Sequence, residues 1–191
     1  MTVGVLALQG DFADHAEALA RRGVDTVEVR TAAGLEGLSG LVLPGGESTT
    51  LLKLLKLDDM YERLRATIAG GLPTFATCAG LVLVATRVEH PEQDSLGLVD
   101  ITVVRNGYGR QIHSGTVPIN GPGVPDGCTG VFIRAPKITA VGDGVEVLAR
   151  RGEDPVLVRQ GNVLGCCFHP EMERTHPVID RFVEMVGGPE E

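Results

Sequence analysis

The chain contains no tryptophan, and aromatic residues make up only 4% of its 191 residues. Proteins that bind single-stranded nucleic acid by stacking its bases need an aromatic surface that this composition does not supply. Positive charge is also scarce, because 17 basic residues face 25 acidic ones and the net charge is −8. No block of Lys and Arg offsets this balance locally, so we expect no nucleic-acid partner.

The usual cysteine spacings of metal and redox sites are missing as well. No C-x-x-C pair occurs, which argues against a disulfide framework and against the common zinc patterns; the four cysteines are Cys78, Cys128, Cys166 and Cys167. The N-terminus has no basic segment of the kind that opens a signal peptide. We therefore expect a soluble, cytoplasmic protein that holds no metal.

An uncharged stretch at residues 66–86 is about long enough to span a bilayer. It contains Gly70, Gly71 and Pro73, which interrupt a helix in the first half of the stretch. We interpret it as a helix end, a loop, a buried strand and a second helix. No membrane partner is expected.

Apolar periodicity in the first half of the chain alternates between strand and helix. Strands are predicted at residues 3–8, 24–29, 38–43 and 74–77, and helices at 11–20, from 48 or 49, at 58–69 and at 79–85. Asp11 and Asp58 are the expected N-caps of the first and third helices, and Ser48 or Thr49 begins the second. This alternation is typical of a parallel sheet covered on both faces, whose sites lie at the carboxyl ends of the strands.

The second half is richer in strands, predicted at residues 99–104, 130–134, 145–149, 156–159 and 163–168. Gln160-Gly161 is expected to turn the last two into a hairpin, and residues 115–130 to form a long loop. Thr175 is the expected cap of a final helix. The fold class that follows is α/β, a mostly parallel sheet flanked by helices with an antiparallel extension, in a single domain over residues 1–191.

The segment Ala76-Thr77-Cys78-Ala79-Gly80 joins a predicted buried strand to a helix. A nucleophile at Cys78 would stand on a sharp turn at the head of the sheet, and small neighbours let the backbone bend there. The unpaired N–H groups of the following helix favour a thiolate. The alternative is a small buried cysteine in a glycine-rich turn.

Phe168-His169-Pro170-Glu171 supplies the partners that such a nucleophile needs. In an extended segment His169 and Glu171 point to the same side, so the carboxylate can orient the imidazole. A Cys–His pair with an acidic orienter is the minimum for acyl transfer. Alone, the segment could equally be a solvated strand end closed by Pro170.

Gly45 and Gly46 follow the third predicted strand and could turn backbone N–H groups toward a developing oxyanion, together with the N–H of Ala79. The alternative is an ordinary strand-to-helix turn. The remaining histidines attract no functional hypothesis. His15 and His90 have no evident partners in the sequence, and His176 is expected in a helix cap.

At this point the sequence resembles the class I glutamine amidotransferases, and among them the glutaminase subunits of the two-component pyridoxal 5′-phosphate synthase. The Cys78 turn and the His169-x-Glu171 spacing belong to the wider class. The match to the subunit includes residues 4–10, 43–49, Arg105-Asn106 with 109–111, and 130–136. Its most specific runs are residues 8–10, 44–49 and 131–136, and the resemblance extends over nearly the whole chain.

The resemblance implies a flavodoxin-like class I glutaminase fold without a cofactor. It implies hydrolysis of L-glutamine to glutamate and ammonia, which passes to a synthase subunit in a large hetero-oligomer for pyridoxal 5′-phosphate synthesis. Cys78 then corresponds to the nucleophile, His169 to the general base and acid, and Glu171 to the orienter.

The other family positions map onto this chain residue by residue. Gly46 and Ala79 match the oxyanion hole, and Gln9, beside the oxyanion loop, is a candidate switch. The matches to the glutamine contacts are Gly46, Glu47, Ser48, Arg105, Ile133 and Arg134. Two arginines in that set suit a substrate with an α-carboxylate.

The chain departs from the family pattern at a few positions. Ala76 replaces a usual glycine, Cys167 a usual serine and Met172 a usual leucine, and residues 112–116 differ from the family run. Three other functions stay open on the residues alone. They are an amidotransferase subunit that serves another acceptor, a non-catalytic regulatory module and a cysteine peptidase.

Overall fold

The computed structural model describes residues 1–57, 59–108 and 115–187. Its strands are β1 (Thr2–Leu6), β2 (Asp25–Val29), β3 (Gly40–Leu43), β4 (Thr74–Thr77), β5 (Ala85–Glu89), β6 (Val99–Val104), β7 (Gly115–Pro118), β8 (Thr129–Phe132), β9 (Lys137–Val141), β10 (Glu146–Arg151), β11 (Asp154–Gln160) and β12 (Val163–Cys166). Its helices are α1 (Phe12–Ala20), α2 (Ser48–Leu55), α3 (Met60–Ala69), α4 (Ala79–Val84) and α5 (Pro177–Gly187), with short 3-10 turns at Ala32–Leu35 and Pro170–Met172.

The main sheet has seven strands in the order β10-β11-β12-β4-β3-β1-β2. The five strands from β12 to β2 run parallel, and β11 pairs antiparallel with both β12 and β10. Two smaller sheets, β5-β6-β9 and β7-β8, complete the fold. The α/β fold class with an antiparallel extension is therefore confirmed.

Buried apolar side chains set this layering. Strands β3, β4 and β12 are buried along their whole length, as expected for parallel strands covered on both faces. The helices pack apolar faces against them, for example Leu51 and Leu55 of α2 and Phe182 of α5, which stacks on Phe75 at 5.5 Å between ring centroids. The buried residues form one continuous cluster.

The carboxyl ends of four neighbouring strands, β12, β4, β3 and β1, meet at one edge of the main sheet. The motifs predicted for catalysis and oxyanion binding follow these strands, whereas the predicted glutamine contacts Arg105, Ile133 and Arg134 follow β6 and β8. His169 and Glu171 follow β12, Cys78 follows β4, Gly45 and Gly46 follow β3, and Gln9 follows β1.

The uncharged stretch at residues 66–86 folds as predicted, into the end of α3, the buried strand β4, and α4. Among the described residues, no helix combines the length and the apolar character that a bilayer crossing requires. The hairpin of β11 and β12 is also confirmed, although its turn residues are Gly161 and Asn162 rather than Gln160 and Gly161.

The loop predicted for residues 115–130 is wrong in part. Its first residues form β7, which pairs antiparallel with β8. The sequence also gave no indication of β5, which runs parallel to β6, or of β9, which pairs antiparallel with β6. These strands are short and partly exposed, so their pairing partners decide their conformation more than their own pattern does.

Two of the predicted helix caps need correction, whereas the predicted start of α2 at Ser48 or Thr49 is confirmed. Asp11 occupies the N-cap position of α1 but makes no side-chain capping hydrogen bond. Helix α2 begins at Ser48, and its cap is the Glu47 carboxylate, which accepts hydrogen bonds from the N–H groups of Thr49 and Thr50. At α5, the ring of His176 rather than Thr175 accepts a hydrogen bond from the Val178 N–H. The predicted Asp58 cap lies outside the described residues.

Candidate active site

Cys78 lies on the turn between β4 and α4, in a backbone conformation that residues other than glycine rarely adopt. Its φ is 48° and its ψ −102°, and its side chain is buried apart from a small exposed fraction. The turn is held by its N–H, which donates to the Cys166 carbonyl at 2.9 Å. A non-glycine residue with such angles is strained, and strain of this kind concentrates at functional sites.

Gly80 shows why the turn needs small residues. A Cβ added there would lie 2.1 Å from the carbonyl oxygen of Leu43, so α4 packs directly on the backbone of β3. Ala76 is fully buried in β4 and pairs with Leu43 and Gly165 on the neighbouring strands.

His169 and Glu171 lie side by side, as predicted, but for a different local reason. The segment is not extended through Glu171, because Pro170 begins a 3-10 turn directly after His169. This turn brings His169 Nδ1 to 2.7 Å from Glu171 Oε1, and both side chains are almost completely buried. His169 also contacts the Cys78 side chain, so the three residues form one connected set.

Electrostatics in this set favour a charged imidazole. Burial alone would lower the pKa of His169, but hydrogen bonds and charge interactions with Cys78 and Glu171 raise it to about 10. Burial would likewise raise the pKa of Glu171, yet the neighbouring His15 and His169 hold it below its usual value. The arrangement therefore keeps a proton on His169 and a negative charge on Glu171.

The loop after β3 and the loop after β1 touch through their backbones. A Cβ on Gly10 would lie 1.8 Å from the Gly45 carbonyl oxygen, which itself accepts a hydrogen bond from the Asp11 N–H. Gln9 Oε1 accepts the Glu47 N–H at 2.8 Å. Gln9 thus fixes the peptide that follows Gly46, whose φ of 148° suits glycine.

A cavity of about 450 Å³ opens in front of Cys78, within the range of small-molecule sites. Its walls contain the residues predicted for catalysis, oxyanion binding and glutamine contacts, apart from Glu171 and Gly45; they are Gln9, Gly46, Glu47, Ser48, Cys78, Ala79, Arg105, Ile133, Arg134 and His169. Glu171 lies behind His169. Residues 112–114, part of the departure from the family run, lie outside the described residues.

Glu47 and Arg105 form an ion pair on the cavity wall, with Arg105 Nη2 2.9 Å from Glu47 Oε1. Slight burial would raise the pKa of Glu47, but hydrogen bonds from Thr50 and Thr49 lower it to about 2. Glu47 therefore caps α2 and holds Arg105 at the same time. Arg134, opposite in the wall, has a φ of 43°, another strained residue at the site.

Two residues were missed as neighbours of the set, namely His15 of α1 and Asp11 at the N-cap position of this helix. His15 is almost fully buried, with its Nε2 3.3 Å from Glu171 Oε2. Asp11, predicted only as a cap, places its Oδ2 3.6 Å from His169 Nδ1. The signal for both was the spacing Asp11-x-x-x-His15, which puts them on one face of a helix directly after β1.

Asp11, His169 and Glu171 also bring ligand-type atoms within 4.8 Å of one another. A metal ion there would have to displace the proton between His169 Nδ1 and Glu171 Oε1, a pair already at hydrogen-bond distance.

Cys166 and Cys167 are fully buried, and burial raises the pKa of both thiols.

Comparisons with known proteins find relatives along almost the whole chain. The sequence profile of the SNO glutamine amidotransferase family matches residues 5–187. A pyridoxal 5′-phosphate synthase subunit PdxT from Thermotoga petrophila is 49% identical over 97% of this chain and 100% of its own length. The PdxT subunit of Corynebacterium jeikeium is 50% identical over 97% of both chains. A crystal structure of a glutamine amidotransferase superposes with a TM-score of 0.91 at 46% identity, covering 97% of this chain and 99% of that one.

Proposed function

Because this chain belongs to the SNO glutamine amidotransferase family, we propose that it hydrolyses L-glutamine to glutamate and ammonia and delivers the ammonia for pyridoxal 5′-phosphate synthesis. The relatives that this chain matches along nearly their full length are named as subunits of pyridoxal 5′-phosphate synthase. The observation that carries the proposal is the position of Cys78 on a strained turn beside His169. Glu171 orients His169 through the contact of 2.7 Å between its Oε1 and His169 Nδ1.

The proposed reaction begins with attack of the Cys78 sulfur on the side-chain amide carbon of glutamine. His169, in contact with Cys78, holds a proton on its imidazole, since its pKa is raised to about 10. The C–N bond breaks as His169 gives this proton to the leaving nitrogen, and ammonia departs. His169 then takes a proton from water, which attacks the γ-glutamyl thioester and releases glutamate.

We assign the backbone N–H groups of Gly46 and Ala79 to the oxyanion that forms in both steps. Both residues line the cavity beside Cys78. Gln9, whose side chain holds the Glu47 N–H, is the proposed switch of this loop.

The substrate contacts are proposed on the same cavity wall. Glutamine is zwitterionic, and Arg105 and Arg134 supply positive charge for its α-carboxylate. Glu47 and Ser48 offer oxygens for its ammonium group, and Ile133 contributes an apolar surface.

We further propose that residues 1–191 work as one amidotransferase domain and act with a synthase subunit in a hetero-oligomer. The single continuous core supports the first point. The name that the full-length relatives share, subunit of a synthase, supports the second.

Ammonia release from glutamine, measured with and without the synthase subunit, tests the function. Cys78→Ala should abolish release, whereas Cys128→Ala, at a partly buried thiol remote from the cavity, should leave it unchanged. Mass spectrometry of trapped enzyme should find the γ-glutamyl adduct on Cys78. Equal release by Cys78→Ala, or an adduct on Cys167, would contradict the assignment.

The same assay separates the other functions. Glutamine binding without turnover in the presence of the synthase subunit would indicate a regulatory module. Peptide cleavage without a response to glutamine would indicate a peptidase. Release that responds to a different natural partner would indicate another acceptor.

A further inference from the structure

His15 lies behind the catalytic set rather than in the cavity wall. Its ring is almost fully buried on α1, with the ring edge against Phe75 at 6.1 Å between centroids. Its Nε2 lies 3.0 Å from the Thr77 hydroxyl and 3.3 Å from Glu171 Oε2. One imidazole nitrogen therefore faces both the residue before Cys78 and the carboxylate that holds His169.

Glu171 needs a donor at its second oxygen. Oε1 is engaged by His169, and the whole side chain is shielded from solvent. No well-aligned hydrogen bond from the described residues reaches Oε2. A buried carboxylate oxygen without a donor is costly, so the nitrogen 3.3 Å away determines how well this charge is satisfied.

The tautomer of His15 follows from its neighbours. The charged or titratable groups that face His15 are Glu171, His169, Asp11 and Asp14, and burial outweighs them and lowers the pKa of His15. The neutral ring carries a single N–H. A lone pair on Nε2 would face the carboxylate oxygen at 3.3 Å and be repelled by it. The proton therefore belongs on Nε2.

We infer that His15 is a positioning residue, which shares its Nε2–H between Glu171 Oε2 and the Thr77 hydroxyl and so fixes the carboxylate that orients His169. The inference rests on the proposed function, since it concerns the same catalytic set. His15 thereby adds a residue of α1 to the catalytic set. It links Glu171, which follows β12, to Thr77, the last residue of β4 and the one before Cys78.

Two substitutions separate positioning from simple packing. His15→Gln can place an amide N–H near the position of Nε2, whereas His15→Leu fills similar space without a donor. In the presence of the synthase subunit, we expect His15→Leu to lower kcat about tenfold and to leave KM for glutamine within about twofold. His15→Gln should retain most of kcat. Equal or better activity of His15→Leu would overturn the inference.

The pH profile gives a readout that packing does not move. A neutral Nε2–H that donates to Glu171 Oε2, 3.3 Å away, favours the charged form of Glu171 and so lowers its pKa. Without the His15 donor this pKa rises, so Glu171 becomes protonated at a higher pH. The acid limb of kcat should shift to higher pH in His15→Leu and stay in place in His15→Gln. An unshifted limb in His15→Leu would count against the inference.

A measurement on the unmodified chain decides the question even if both variants fail to fold. Nitrogen-15 chemical shifts of the His15 ring near neutral pH should show the proton on Nε2 alone. A proton on Nδ1, or on both nitrogens, would overturn the inference. The position of this proton does not depend on turnover. An active Cys78→Ala would therefore refute the proposed function and leave the inference about His15 unchanged.

Discussion

Gly80→Ala adds one methyl group at the point where α4 packs against the backbone of β3. The added Cβ would lie 2.1 Å from the Leu43 carbonyl oxygen and 2.8 Å from its carbonyl carbon. Both are backbone atoms of a fully buried central strand, so no flexible side chain can yield. The deficit from an ordinary contact of 3.4 Å is about 1.3 Å, and α4 has to move by a similar distance.

The displacement has consequences for both stability and activity. Overpacking of a close contact costs about 1–3 kcal/mol, and each kcal/mol lowers Tm by about 2–4 °C in a chain of this size. We therefore expect Gly80→Ala to lower Tm by about 2–12 °C. Because Cys78 directly precedes α4, a shift of about 1 Å should lower ammonia release about a hundredfold.

Gly187→Ala is the matched control, because Gly187 also lies in a helix but has open space around its Cβ position. Alanine is intrinsically the better helix former, so Tm of this variant should stay constant or rise slightly. Thermal unfolding and the ammonia assay are run on both variants. If Gly80→Ala matched Gly187→Ala in Tm and activity, the argument from close approach would be refuted.

Two further predictions concern groups whose hydrogen bonds join separate elements. Glu47→Gln weakens the cap of α2 and removes the charge that holds Arg105; solvent exposure limits the loss to about 1 kcal/mol, visible in Tm. The pKa of Glu47 falls from 4.5 to about 2 on folding. The loss of stability of Glu47→Gln relative to wild type should therefore be complete above pH 4.5 and disappear as the pH falls toward 2. A loss of stability that does not depend on pH would contradict this. Asn162→Ala removes two hydrogen bonds from Asn162 Nδ2 to the Ile68 and Leu72 carbonyls, so unfolding should cost about 2 kcal/mol less in denaturant titrations, with ammonia release unchanged. An unchanged free energy of unfolding would refute that reading.

The segment around Cys78 could be predicted from sequence because its signals are local. Pro73 precedes a run of buried residues, β4 occupies the predicted residues 74–77, and α4 starts at Ala79. The loops after β1 and β3 follow equally clear apolar runs. Parallel pairing then brings the carboxyl ends of these strands to one edge without further information.

The remainder depended on partners that are distant in the chain. The spacing Asp11-x-x-x-His15 indicates a shared helix face, but His15 becomes part of the set only because Glu171, distant in the chain, packs against α1. Asp11 resembles a cap in sequence, yet its carboxylate lies toward His169 instead. Strand β7 contains Gly115 and Pro118, which predict a loop, and only its pairing with β8 makes it a strand.

The position of β12 has a consequence for the order in which the chain becomes active. This strand, close to the C-terminus, inserts between β4 and β11 in the interior of the main sheet, and His169 and Glu171 follow it. A ribosome-bound chain that ended before β12 would contain Cys78 but leave the edge of β4 open and the nucleophile without its base. Synthesis proceeds from the N-terminus, so reactivity toward glutamine arises only after β12 and the residues that follow it, His169 and Glu171, have emerged.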